Sequence, residues 1–136
     1  MDKLTSKEHD IKQYSTLALA YIGDSVYELM VREHLLQKGN KQPAKLHEDV
    51  IKKVNASAQA KAVKKIEPYF TETEEEIFKR GKNATPKHIP KSADKKNYQK
   101  ATGLETLWGY LYLTGNLDRL NKLFIIIFEE NITEEK

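Results

Sequence analysis

The sequence predicts an all-α fold, and three observations carry that prediction. Apolar residues recur at helical spacing rather than alternating, and no Asn-Gly or Asp-Gly hairpin turn occurs. Helix-ending residues, Gly39-Asn40, Pro68, Gly81 and Gly115-Asn116, divide the chain into segments of helical length. Helices are expected over 8–20 and 20–38, continuous or kinked at Gly23 and ended by Gly39-Asn40. Another covers 43–54. Its partner, 57–66, takes Asn55 or Ser57 as cap and stops before Pro68. A short helix over 72–80 ends at Gly81. Thr71 or Thr73 caps it, and Glu72, Glu74, Glu75 and Glu76 suit its positive N-terminal end.

Residues 82–92, with Asn83, Pro86 and Pro90, read as a loop. A helix over 93–113 follows, stopped by Gly115-Asn116. The last helix, 117–131, carries the block Leu123 to Phe128, strand-like in residue type but helical in its flanks. No internal repeat or long linker is visible, so the expectation is one compact domain over 1–136.

Composition excludes several function classes. Charged residues make up 32% of the 136, and mean hydropathy is −0.69. The longest apolar runs, around Leu17 and from Leu123 to Phe128, fall short of a membrane span. The first residues lack the pattern of a secretory signal. With no cysteine, neither a disulfide framework nor a thiolate metal site is available. The expected location is the cytoplasm. No phosphate-cradling glycine loop, no His-Glu-x-x-His and no Gly-x-Ser-x-Gly elbow is present. His9, His34, His47 and His88 have no metal-ligand spacing.

Charge is distributed unevenly along the chain. Residues 79–100 hold Lys79, Arg80, Lys82, Lys87, Lys91, Lys95, Lys96 and Lys100 against one acid, Asp94. That segment is +7 and the remainder −4. Such asymmetry points to a polyanionic partner, against the plainer reading of a solvated lysine surface.

Two carboxylates stand out because their neighbours are apolar. Asp24 lies in the run Leu17 to Val31, which is apolar nearly all round and reads as a helix buried in the core. An ionised Asp there costs several kcal/mol unless a cation, a metal or hydrogen bonds compensate it. Gly23 beside it weakens the helix by roughly 1 kcal/mol, which implies close approach by another backbone. Glu105 sits alone in the apolar segment Ala101 to Leu113, sharing a face with Ala101, Thr102, Trp108, Gly109 and Tyr112. If the two helices pack together, Asp24 and Glu105 can share a divalent cation of the Mg²⁺ or Mn²⁺ type. The alternative is that each acid pairs with Lys or Arg. Tyr21, Trp108, Tyr110 and Tyr112 read as core or dimer-packing residues, with stacking on bases the rarer use.

These segments resemble a known family. Tyr21-Ile22-Gly23-Asp24-Ser25-Val26-Tyr27-Glu28 is similar to the signature of ribonuclease III catalytic domains, Leu-Gly-Asp-Ala/Ser-Val. Leu104 through Leu113 resembles their second motif, Phe-Glu-Ala-x-x-Gly-Ala-x-Tyr-Leu, and Arg80-Gly81-Lys82-Asn83-Ala84 resembles a third shared patch. The three come in family order and span nearly the whole chain. The length leaves no room for the double-stranded-RNA-binding domain that usually follows, which points to the short Mini-III subclass. Three family acids are missing: Leu17, Ala20 and Thr102 stand in their places.

The resemblance implies an Mg²⁺-dependent endoribonuclease, Mn²⁺ a possible substitute, that hydrolyses double-stranded RNA to 5′ phosphate and 3′ hydroxyl ends. It also implies a homodimer and a role in maturation of ribosomal RNA, the 23S precursor. Asp24 and Glu105 are the implied catalytic and metal-binding residues, with Thr102 and Glu28 as assisting groups. One or two metals per site stays open, given Ala20 and Thr102. Lys79, Arg80, Lys82, Asn83, Lys87, His88, Lys91 and Lys95 are the RNA-binding candidates, holding phosphates by shape because A-form RNA hides its base edges. Two rivals remain: a non-catalytic RNA-binding module of the same fold, and a helical protein-interaction domain.

Overall fold

The computed structural model describes residues 3–84 and 94–129, and among them there is no strand. A 3-10 turn, Ile11–Gln13, precedes six helices, α1 (Thr16–Lys38), α2 (Pro43–Val54), α3 (Ala56–Ile66), α4 (Glu72–Asn83), α5 (Lys95–Leu113) and α6 (Leu117–Phe128), and a second 3-10 turn, Glu67–Tyr69, links α3 to α4.

Local chemistry sets most of these ends. The Ser15 hydroxyl accepts from the Ala18 amide at 3.1 Å to start α1. Pro43 opens α2, where its missing N–H costs nothing. Asn55 ends α2 and starts α3, its side-chain oxygen accepting from the Ala58 amide at 2.8 Å. Thr71 and Glu74 form a reciprocal capping box on α4. Asp94 accepts from the Lys96 and Asn97 amides at the start of α5. Gly115, at φ 78°, turns the chain from α5 into α6.

The α5 helix is the centre of the molecule. Leu104, Leu107 and Trp108 on it are fully buried, and α1, α3, α4 and α6 pack around it. Tyr27 of α1 meets Trp108 edge-on, with ring centroids 5.3 Å apart. Outside this core, the buried Glu74 carboxylate is held by the Arg119 guanidinium at 2.7 and 2.8 Å, and Arg119 also donates to the Tyr69 carbonyl.

Three expectations need correction. The two helices placed over 8–20 and 20–38 are one 3-10 turn and one helix that runs through Gly23. Gly81 does not stop α4, which continues to Asn83. That glycine is required by packing, since a Cβ there would meet Thr106 Oγ1 at 2.4 Å and the Gly103 Cα at 2.9 Å. Most important, α1 is not buried all round. It buries Leu19, Ala20, Gly23, Tyr27 and Val31 and leaves Leu17, Tyr21, Leu29 and Leu36 exposed, Tyr21 at 76%. Asp24 lies on the exposed side and is itself exposed. An apolar helix can keep one such face toward solvent when only half its circumference meets the core.

Candidate active site

The site is built where α1 crosses α5. Gly23 has no side chain to hold the backbones apart: a Cβ on it would fall 1.7 Å from the Glu105 carbonyl oxygen and 2.6 Å from the Gly109 nitrogen. Gly109 is constrained in the same way, its Cβ position lying 2.0 Å from the Leu19 carbonyl oxygen. Two glycines facing each other bring the helix axes close, and the residues beside them, Asp24 and Glu105, are drawn together.

The two carboxylates interact directly. Burial pushes the Glu105 carboxyl up to about 8, and the Asp24 charge and a hydrogen bond between the two acids add to the rise. Near neutral pH Glu105 therefore holds a proton that it donates to Asp24. The Gln59 side chain of α3 pulls the other way, favouring the ionised form. Gln59 is 1% exposed, and its Nε2 finds no partner at hydrogen-bonding distance among the described residues. Sequence reasoning missed this residue. The signal was there: an uncharged polar residue on the same helical face as Ala60, Val63 and Ile66 is as anomalous as a lone acid.

Among the described residues, no Lys or Arg is named among the groups acting on Glu105. Two carboxylates brought together at a helix crossing offer hard oxygen donors of the kind that fit a divalent ion. Among the described residues no cluster of three or more His, Asp or Glu side chains could hold a metal. The positions occupied by Ala20 and Thr102 add no acid: Ala20 is buried, and the Thr102 hydroxyl donates to the Tyr98 carbonyl at 3.0 Å. Glu28 is engaged elsewhere, accepting from Arg32 Nη2 at 2.7 Å and Nε at 3.0 Å.

The basic strip begins at the C-terminal end of α4. Lys79 lies 3.9 Å from Glu75, Arg80 and Asn83 are exposed, and the Lys82 ammonium stands 6.0 Å from the Phe78 ring centroid. Lys95, Lys96 and Lys100 are exposed on the first turns of α5. Lys87, His88 and Lys91 lie outside the described residues. Of the aromatic candidates Trp108 is fully buried, Tyr110 and Tyr112 are half-buried, and Tyr21 is exposed.

A helical fold centred on α5, with Asp24 of α1 and Glu105 of α5 brought together where the helices cross, belongs to a defined class. A family model described as the ribonuclease III domain matches residues 17–116, and the chain belongs to the ribonuclease III family. Curated relatives sharpen the placement. Mini-ribonuclease 3 of Streptococcus pneumoniae is 43% identical over 116 residues, covering 84% of this chain and 91% of that one. Mini-ribonuclease 3 of Clostridium tetani is 41% identical over 133 residues, covering 94% and 87%. Among solved structures, a Fusobacterium nucleatum protein superposes with a TM-score of 0.81 at 35% identity, over 91% of this chain and 99% of that one. No helix among the described residues is long and apolar enough to cross a membrane.

Proposed function

We propose that this chain is an endoribonuclease that cuts double-stranded RNA by Mg²⁺-dependent phosphodiester hydrolysis, in the maturation of ribosomal RNA. The observation that carries the reading is the proton-sharing pair of Asp24 and Glu105 at a glycine-lined helix crossing. Asp24 and Glu105 would hold the cation, which when bound lowers the pKa of a water and offsets charge on the phosphoryl oxygens. Glu105 must lose its proton to bind, and Asp24 presents its carboxylate from the exposed face of α1, where a phosphate can approach. Thr102, its hydroxyl proton committed to Tyr98, can serve a nearby water only as an acceptor. Glu28 and Arg32 neutralise each other at the rim.

Lys82, Arg80 and Lys95 offer exposed or half-exposed cations at the ends of α4 and α5, suited to phosphates of A-form RNA. The apolar residues left exposed on α1, Leu17, Tyr21 and Leu29 among them, support a homodimer. A two-fold pairing through α1 would set two Asp24–Glu105 pairs against the two strands of a duplex. Sizing of wild type beside Tyr21→Glu tests this: a dimer that becomes a monomer is expected, and a monomeric wild type overturns it.

The decisive experiment incubates duplex RNA with wild type, Asp24→Asn and Glu105→Gln, with and without Mg²⁺. Wild type is expected to cut only with the metal, and each folded variant to lose about 10²-fold or more of the rate. Binding without cleavage would identify a non-catalytic module instead.

A further inference from the structure

A second feature of the molecule lies apart from the carboxylate pair. An open cleft of about 610 Å³ is bounded by the C-terminal halves of α1 and α2, the start of α3 and the end of α6. Lys38, Lys52, Lys53, Lys61 and Lys65 line it together with His34, and among the described residues neither Asp nor Glu does so. Asp24, Gln59 and Glu105 do not line it either.

The ammonium groups of Lys38, Lys52, Lys53 and Lys61 gathered round one concavity repel one another, so the cleft suits an anion. The first turn of α3 adds to the field. Asn55, Ser57 and Ala58 reach the cleft, and the N-terminal end of an 11-residue helix carries partial positive charge. The field is felt at the floor: burial and then Lys38 and Lys53 hold the His34 imidazole below its ordinary pKa, against the opposing charge of Glu129. Lys65 donates to the Ile127 carbonyl at 3.0 Å, tying the α3 wall to α6.

The other wall is aromatic. Phe128 and His34 both line the cleft, with ring centroids 5.2 Å apart. Tyr27, 1% exposed, also forms part of the wall. Cations and the Ser57 hydroxyl on one side, aromatic surface on the other and a volume within the range of small-molecule sites together describe one ligand chemistry.

We propose that this cleft is a nucleotide-binding site, with phosphates set among the lysines and the N-terminus of α3 and the base against Phe128 and His34. A free nucleoside polyphosphate and the 5′-phosphorylated end of an RNA strand present the same chemistry.

The test is calorimetric titration of the full chain in EDTA at physiological salt. One arm uses ATP; a second compares a trinucleotide bearing a 5′ phosphate with one bearing a 5′ hydroxyl. Saturable binding of ATP or of the 5′-phosphorylated trinucleotide is expected. The exposed pair Lys38→Glu with Lys61→Glu should weaken it about tenfold or more. Lys12→Glu, at an exposed lysine that does not line the cleft, should leave it unchanged. Binding of ATP alone identifies the ligand as a free nucleotide, and binding of the phosphorylated trinucleotide alone identifies it as a strand end. No saturable binding of any probe at millimolar concentration overturns the proposal. So does equal weakening by Lys12→Glu, which would mark diffuse charge attraction.

Discussion

Gly23 and Glu105 meet backbone to backbone, so closely that a methyl group on Gly23 would sit 1.7 Å from the Glu105 carbonyl oxygen. That contact joins fold and chemistry, because the next residue along α1 is Asp24 and the side chain of Glu105 is its partner.

Gly23→Ala is therefore expected to damage both. Alanine improves helix propensity by roughly 1 kcal/mol, but forcing α1 from α5 costs about 3 kcal/mol or more, as overpacked cores do. Thermal unfolding should show a large fall in Tm, with loss of cleavage in whatever still folds. Gly39→Ala is the control: a Cβ there meets nothing within 4 Å, and its backbone is extended, so Tm should barely move.

The raised Glu105 pKa sets a pH dependence. Its folded pKa, about 8, lies above the ordinary value of 4.5, so the folded state binds the proton more tightly than the unfolded one. The stabilisation from this site is complete below pH 4.5 and is lost as pH rises through 8, a change on the order of a few kcal/mol. Without divalent cation, Tm should fall between pH 6 and 9 in wild type, and fall less in Glu105→Gln. Added Mg²⁺ should restore wild type most at the alkaline end, since binding displaces the proton. A flat metal-free profile identical to that of Glu105→Gln would remove Glu105 from this role.

Gln59 is expected to act by positioning Glu105. Gln59→Leu, close in volume, removes the one group that favours the ionised carboxylate. The alkaline limb of Mg²⁺ binding should then move to higher pH, with Tm changed little at pH 6. A weakened metal affinity with no displacement along pH would mean that Gln59 merely fills space.

Arg119 should be structural. Its guanidinium neutralises Glu74, which is 4% exposed, and holds that carboxyl below the usual range despite burial. Arg119→Met leaves a buried carboxylate unpaired, at a cost of about 3 kcal/mol. Denaturant unfolding at pH 7 should show the loss. Because Glu74 is depressed in the folded state, the stability it adds is present above 4.5 and fades as pH falls through its folded pKa. The variant and wild type should converge in acid.

Much of this was legible in the residues. Capping by Ser, Thr, Asn and Asp and the proline at the head of α2 are local chemistry, so helix identities and most ends follow from a few neighbours at a time. The two acids announced themselves by contrast with their surroundings, and motif order supplied the family. Gly81 misled, because a glycine that ends a helix and a glycine that lets one pack have the same local appearance. Gln59 was passed over for a related reason: an uncharged polar side chain on an apolar face gives a weaker contrast than a charge.

The sequence by itself determined that the chain is helical, that Asp24 and Glu105 carry the chemistry worth testing, and that positive charge gathers between 79 and 100. Only the tertiary structure decided that Asp24 faces outward and that Glu105 keeps its proton. It also decided that Glu28 belongs to Arg32 and that lysines from three different helices converge on one cleft. Helix formation is a property of contiguous residues. A shifted pKa, the accessible side of a helix and a cleft are properties of distance between residues far apart in the chain, which exist only once α1, α3 and α5 have packed.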